Sequence, residues 1–392
     1  MRKPLKAVLP IAVLVSTLLA FWFQTGLTEA ATQPNSTWCI VSSPNKGAHS
    51  NFLYNVAVVS SSDIWAVGSY INGLGHQEAL IEHSNGINWS IVHSANIETN
   101  GSELYGVTAV SSNDVWAVGR YLNVGQGYQT LIEHWNGKKW RLVSSPNPPH
   151  SPESEFSAVA AVSSNDIWAV GTYVVGIKNQ TLTEHWDGST WSIVSSPNIQ
   201  SSNDYLLGVT AVSSENIWAV GYYHTNGSIS QTLIEQWNGS SWSIVSSPNP
   251  GGTAYNDLYA VAGVSSNDIW AVGYYMDVNV HFLTLVEHWN GKKWSVVSSP
   301  NQRKATSNYL FGIGAISSSN IWAVGEYAVN NLTQNLIEDW NGKKWSIVPS
   351  ANAGTADNIL YGVAGDSSND IWAVGFYDAG GQNFQTLTES YC

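Results

Sequence analysis

Seven glutamates recur at one position of a repeated segment in this 392-residue chain: Glu82, Glu133, Glu184, Glu235, Glu287, Glu338 and Glu389. Clustered carboxylates can hold a cation or serve as general acid and base. Identical copies in every repeat argue instead for a hydrogen-bond device built with the fold, since a buried carboxylate needs donors. The repeated Ser, Thr and Trp N–H groups are the expected donors. His83, His134, His185 and His288 follow that Glu in four copies, with Gln236, Asp339 and Ser390 standing there in others. They make no metal shell that repeats, and no metal or cofactor is expected.

A second row, Tyr70, Tyr121, Tyr173, Tyr223, Tyr275, Tyr327 and Tyr377, also recurs. With the connecting-segment carboxylates Glu153, Glu155, Asp204 and Asp257 it would rim an acidic mouth suited to a glycan, a peptide or a cation. The plainer alternative is that each Tyr closes the edge of its own repeat. Glu153 with Glu155, or Asp204 with Asp257, could also converge as a pair for glycoside hydrolysis. No catalytic residue is assigned, because no His-Glu-x-x-His, nucleophile elbow, phosphate loop or Cys-x-x-Cys occurs.

Composition narrows the classes. The formal charge is −13 and only 11% of residues are charged, which excludes nucleic acid and anionic membrane surfaces as partners. Paired lysines at 138–139, 292–293 and 343–344 read as solvated turn charges. Arg2, Lys3 and Lys6 precede an apolar run from Ala7 to Phe23. That pattern predicts a secretory signal peptide over residues 1–30, with an uncleaved anchor as the alternative, then a short linker over 31–36. The expectation is a secreted or cell-surface monomer with no other membrane segment.

The positioning elements follow from the repeat. Trp65, Trp116, Trp168, Trp218, Trp270, Trp322 and Trp372 are 51, 52, 50, 52, 52 and 50 residues apart. A period near fifty signals a repeat architecture. In the third copy, Phe156–Ser163, Ile167–Tyr173, Thr181–Trp186 and Trp191–Ser195 read as four strands. Ser164-Asn165-Asp166 and Asp187-Gly188 supply turn chemistry between them. Four antiparallel strands at this period predict an all-β, seven-bladed β-propeller over residues 37–392. The last copy lacks a fourth strand, whereas Thr37–Asn45 is a fourth strand without a repeat. The N-terminal strand should therefore complete the last blade. That closure sets Cys39 beside Cys392 as a disulfide, worth on the order of 4 kcal/mol through the loop it closes.

Ile-Trp-Ala-Val-Gly-x-Tyr followed by Leu-Ile-Glu-His-Trp-Asn-Gly-Lys-Lys-Trp-Ser-Ile-Val resembles a kelch-type repeat. The paired Gly of that family is single here, followed by Ser69, Arg120, Thr172, Tyr222, Tyr274, Glu326 or Phe376. The Ser-x-Asp turn also resembles the Asp-box of sialidase-like propellers, without its Gly. The resemblance implies binding modules, adaptors or some enzymes. A sialidase-like site would need converging arginines, and only Arg120, Arg141 and Arg303 follow the leader, at unrelated repeat positions. A galactose-oxidase-like copper site would need an internal Cys, and there is none. The reading is a non-catalytic recognition or scaffold module for a polysaccharide or surface protein. A carbohydrate-active enzyme and a structural envelope component are the alternatives.

Overall fold

The computed structural model describes residues 38–95, 101–199, 203–225, 229–252, 254–354, 356–367 and 370–392. The expected leader and linker lie outside them. The compact unit that holds the strands spans Asn35–Cys392.

The third repeat shows why the sequence folds as it does. Its strands are Ser154–Ser163, Asp166–Val175, Lys178–Trp186 and Trp191–Ile193, paired antiparallel in chain order. The apolar run Ile167 to Val170 is buried continuously because both faces of the sheet are covered by neighbouring sheets. Between first and second strands the turn is tied by the Asn165 amide donating to Ser163 Oγ at 3.3 Å. Asp187 Oδ1 accepts from the backbone amides of Ser189 and Thr190, which fixes the next hairpin.

The same order recurs to give seven four-stranded sheets, a propeller in which a single parallel bridge, Phe282 to Ser307, links the fifth to the sixth. The first strand of each sheet packs on the first strand of the next. Asn358–Ser367 of the last sheet packs on Asn51–Ser60 of the first, so the circle closes. The last sheet takes Trp38–Val41 as its outermost strand, in register Trp38 to Tyr391 and Ile40 to Glu389. Cys39 and Cys392 are joined there, with Cα atoms 5.9 Å apart.

Seven apolar clusters, one at each junction between sheets, form the core. At every junction the second-strand Trp meets the outermost-strand Trp of the following sheet edge to face. Trp65 with Trp140 and Trp168 with Trp242 both lie at 5.4 Å. At the seam, Trp322 meets Trp38 at 5.2 Å and Trp372 meets Trp89 at 5.4 Å. Such pairs add about 0.5–1.5 kcal/mol each beyond the area they bury.

Two sets of small residues permit this packing. A Cβ on Gly68 would stand 1.9 Å from the Phe52 carbonyl oxygen, and Gly375 repeats the clash with Ile359. The first strand bulges there, between Leu53 and Asn55, and drives its carbonyl at the second strand. A Cβ on Gly106 would lie 2.9 Å from Ala158 Cα, and one on Gly362 2.9 Å from Asn55 Cα. Neighbouring first strands approach that closely around the axis.

The seven repeated glutamates are buried, at most 1% exposed. Serine donors come from the preceding sheet, Ser145 Oγ to Glu184 Oε2 at 2.9 Å, Ser247 to Glu287 at 2.7 Å and Ser299 to Glu338 at 2.6 Å, whereas neither carboxyl oxygen of Glu82 has a hydrogen-bond partner among the described residues. Glu389 receives Ser350 and, from Asn335, a second bond at 2.7 Å. The expected Trp N–H donors are not used. Second-strand indoles bond the turn instead, as Trp65 Nε1 does to Asp63 Oδ1 at 2.9 Å. Outermost-strand indoles such as Trp140 and Trp191 have no hydrogen-bond partner among the described residues. Burial pushes the carboxyls up, to about 7 for Glu133 and Glu389 and about 8 for Glu184, Glu235, Glu287 and Glu338. Below those values each is protonated and can donate a hydrogen bond as well as accept one.

The histidines are structural too. His83, His134, His185 and His288 each place Nε2 2.8–2.9 Å from the turn Asp that also holds the indole. Where that Asp is Asn216, Gln236 replaces the His and donates to it at 3.3 Å.

Because the folded acids bind protons more tightly than the unfolded chain, their stabilisation is full below about pH 4.5 and lost as pH rises toward 8. The thermal midpoint is expected to fall from pH 5.5 to pH 8.5, a decline of the order expected for several such groups. Combining Glu184→Gln, Glu287→Gln and Glu338→Gln should flatten that slope; an unchanged slope refutes the role of the glutamates. Cys39→Ser should lower the unfolding free energy by about 4 kcal/mol, measured with urea under non-reducing conditions.

Candidate functional site

Connections between second and third strands and those between sheets lie on one face. The Ile71 amide of the first kind donates to the Ser50 carbonyl of the second at 2.8 Å, and Val174 repeats this with Glu153 at 2.9 Å. The other face carries the Ser-x-Asp turns and the third-to-fourth hairpins, which touch where Gly86 approaches Ser61.

Along the axis of the loop face, two sheet positions stand opposite one another in each repeat. They are Phe52 with Ser69, Glu103 with Arg120, Glu155 with Thr172, Tyr205 with Tyr222, Asp257 with Tyr274, Tyr309 with Glu326, and Ile359 with Phe376. The surrounding strand repeats almost without change, so this layer is where the blades differ. Next to it the first strands present aromatic rings in mutual contact. Tyr105 meets Tyr54 at 5.6 Å, Tyr54 meets Tyr361 at 5.9 Å, Tyr361 meets Phe311 at 5.0 Å and Phe311 meets Tyr259 at 5.3 Å.

Charge in the layer is unevenly compensated. Arg120, 5% exposed, donates through Nη2 to Glu103 at 2.8 Å and through Nη1 to Glu155 at 2.9 Å. Its guanidinium lies 4.1 Å from the Tyr128 ring centre. Across the axis, burial raises Asp257 to about 6 and Glu326 to about 8, and no Lys or Arg pairs with either among the described residues. Burial thus raises both carboxyls, Glu326 further than Asp257. Among the described residues no group of three or more His, Cys, Asp or Glu is placed to hold a metal ion.

Of the residues expected from sequence, Glu155 and Asp257 belong to this layer. Glu153 sits two residues before Glu155 and contributes its carbonyl to loop pairing, accepting from Ser151 Oγ at 2.6 Å. Asp204, 1% exposed, accepts from the Ile199 amide at 2.6 Å. That is the bond by which Asn256 and Asn358 hold Gly251 and Ala353 in their own loops. Asp204 therefore fastens a loop. The seven tyrosines are half-buried and pack on the junction clusters; Tyr173, Tyr327 and Tyr377 donate to Gln180, Gln334 and Gln385. Sequence reasoning missed the Glu103, Arg120 and Glu155 group and, apart from it, the buried Glu326. Its available signal was the residue after the strand glycine, a position that takes six different residue types in seven repeats.

No family model matches the chain, and no curated relative does. Among solved structures, one titled "YCF48 bound to D1 peptide" is 12% identical, with a TM-score of 0.53 over 92% of this chain and 97% of that one. A polysaccharide lyase titled as a PL25 ulvan lyase is 10% identical, with a TM-score of 0.55 over 87% and 95%. A protein of unknown function from Dyadobacter fermentans is 8% identical, with a TM-score of 0.52 over 90% and 97%. At such identities the likeness is one of fold, and all three share the propeller.

Removing Arg120 would leave two carboxylates buried without their partner. Arg120→Ala is expected to cost about 3–5 kcal/mol of unfolding free energy. Combining Arg120→Met with Glu103→Gln and Glu155→Gln should recover most of it, measured by urea denaturation. Equal losses in both variants would show that the charges are not the cause.

Proposed function

We propose that the chain is an exported, non-catalytic recognition propeller that binds a polysaccharide or a surface protein on its loop face. The observation that carries this reading is the axial layer. The Trp contacts that join the sheets recur seven times, while the residue pairs facing the axis differ in every repeat. A framework needs no such variety, and function resides in sites grafted on a fold rather than in the fold. Aromatic rings beside a few polar groups are the usual make-up of a specific binding surface. The leader pattern and the disulfide support an oxidising, extracellular setting. A kelch-type origin of the repeat belongs to this reading.

A second reading, a carbohydrate-active enzyme, draws on Asp257 and Glu326, two carboxyls at the axial positions of neighbouring sheets.

The test pairs a glycan array with capture of envelope proteins, using the intact chain and a Tyr205→Ala, Glu326→Gln variant. Retention of a defined glycan or protein by the first and roughly tenfold weaker retention by the second is expected. No retention, or retention indifferent to the variant, overturns the reading. Product release from a retained polysaccharide, lost in Asp257→Asn, would decide for the enzyme.

A further inference from the structure

The opposite face carries a feature that recognition at the axis does not use. Between the fourth and fifth sheets lies an open groove of about 400 Å³, lined by Trp289, Trp294, Lys292, Lys293 and the Val245–Pro248 segment. Its floor is rigid. Trp294 is 4% exposed, and Trp289 is held by its Nε1 donating to the Ser266 carbonyl at 3.3 Å. Trp289 also packs 4.9 Å from Trp218 of the preceding sheet. The lysines are anchored at their backbones, whose amides donate to Asn290 Oδ1 at 3.1 and 3.2 Å. Neither lysine has a carboxylate within ion-pair distance among the described residues.

The sixth sheet repeats these elements with Trp340, Lys343 and Lys344. Trp340 donates to the Ser318 carbonyl at 3.1 Å, and the lysine amides bond Asn341 Oδ1 at 3.0 and 3.1 Å. Of the twelve Lys and Arg from Trp38 onward, six stand in the hairpins of the second, fifth and sixth sheets. On a chain of charge −13, that concentration at one hairpin type leaves the fifth and sixth hairpins as adjacent basic, aromatic stations.

We propose that this groove and the like-built hairpin of the neighbouring sixth sheet together bind an acidic polysaccharide, its sugar rings resting on Trp289 and Trp340 and its carboxylate or sulfate groups on the four lysines. An indole presents an apolar surface to the C–H face of a sugar. Paired ammonium groups supply point charges for flexible anions. One polymer engaging both stations gains avidity without tight binding at either. The proposal stands apart from the loop face and survives if that face binds nothing.

The test is calorimetric titration of the intact protein with hexagalacturonate, sulfated maltohexaose and neutral maltohexaose. At least one acidic sugar should bind and the neutral one should not, with affinity falling severalfold as salt rises to about 0.3 M. Lys292→Gln with Lys293→Gln should weaken binding about tenfold, and adding Lys343→Gln and Lys344→Gln should abolish it. Replacing the four lysines by Arg should keep it. The thermal midpoint, followed in parallel, should not move, because all four lysines are exposed. Binding of neither acidic sugar, or binding that survives the fourfold Gln variant, overturns the proposal.

Discussion

The edge-to-face contact between one sheet's second-strand Trp and the next sheet's outermost Trp is the interaction on which the rest of this protein depends. A four-stranded sheet with apolar residues on both faces cannot stand alone in water, so each must find a neighbour on either side. The contact recurs at each junction and sets the angle at which successive sheets meet. Trp38 supplies the last partner from the opposite end of the chain, buried completely against Trp322. The disulfide one residue on removes the freedom of that strand to leave.

Polar groups are treated in the same economical way. With 11% charged residues the molecule has few ions, and many of those it has are enclosed. The repeated glutamates lessen the cost of buried charge by holding their protons to higher pH, and Glu184 and Glu287 each accept a serine hydroxyl from the sheet before them. Asp and His at the turn share one role: they orient the indole that makes the junction. The matched change to Asn216 and Gln236 keeps the contact between the two side chains without a charge, although Trp218 Nε1 has no hydrogen-bond partner there among the described residues. These carboxyls and imidazoles are framework, however suggestive their number.

Departures from the repeat mark the places with other work to do. On the axis the layer around Arg120, Asp257 and Glu326 has no symmetry left. On the far face the Lys-Lys hairpins distinguish three sheets from the others. Both features use positions outside the Trp contacts that form the junctions, so each can vary without disturbing those contacts.

The number of sheets, their strand order, the seam and the disulfide were all legible in the sequence, since a fifty-residue period and an orphan Trp-Cys-Ile-Val strand admit one closed arrangement. The structural reading of the glutamates was legible as well, although their donors proved to be serines across a junction rather than indoles. What the sequence did not reveal is which residues share a place. Glu103, Arg120 and Glu155 come from two repeats and meet only because sheets are set around an axis. Asp204 looks like a ligand group in the chain and becomes a loop fastener once its neighbour Ile199 is in position. Periodicity determines how each repeat pairs within itself, because hydrogen bonding between strands is local and repeats with the pattern. Contacts between repeats depend on how closely the backbones approach, and that was decided by the packing of Trp against Trp and Gly against backbone in three dimensions.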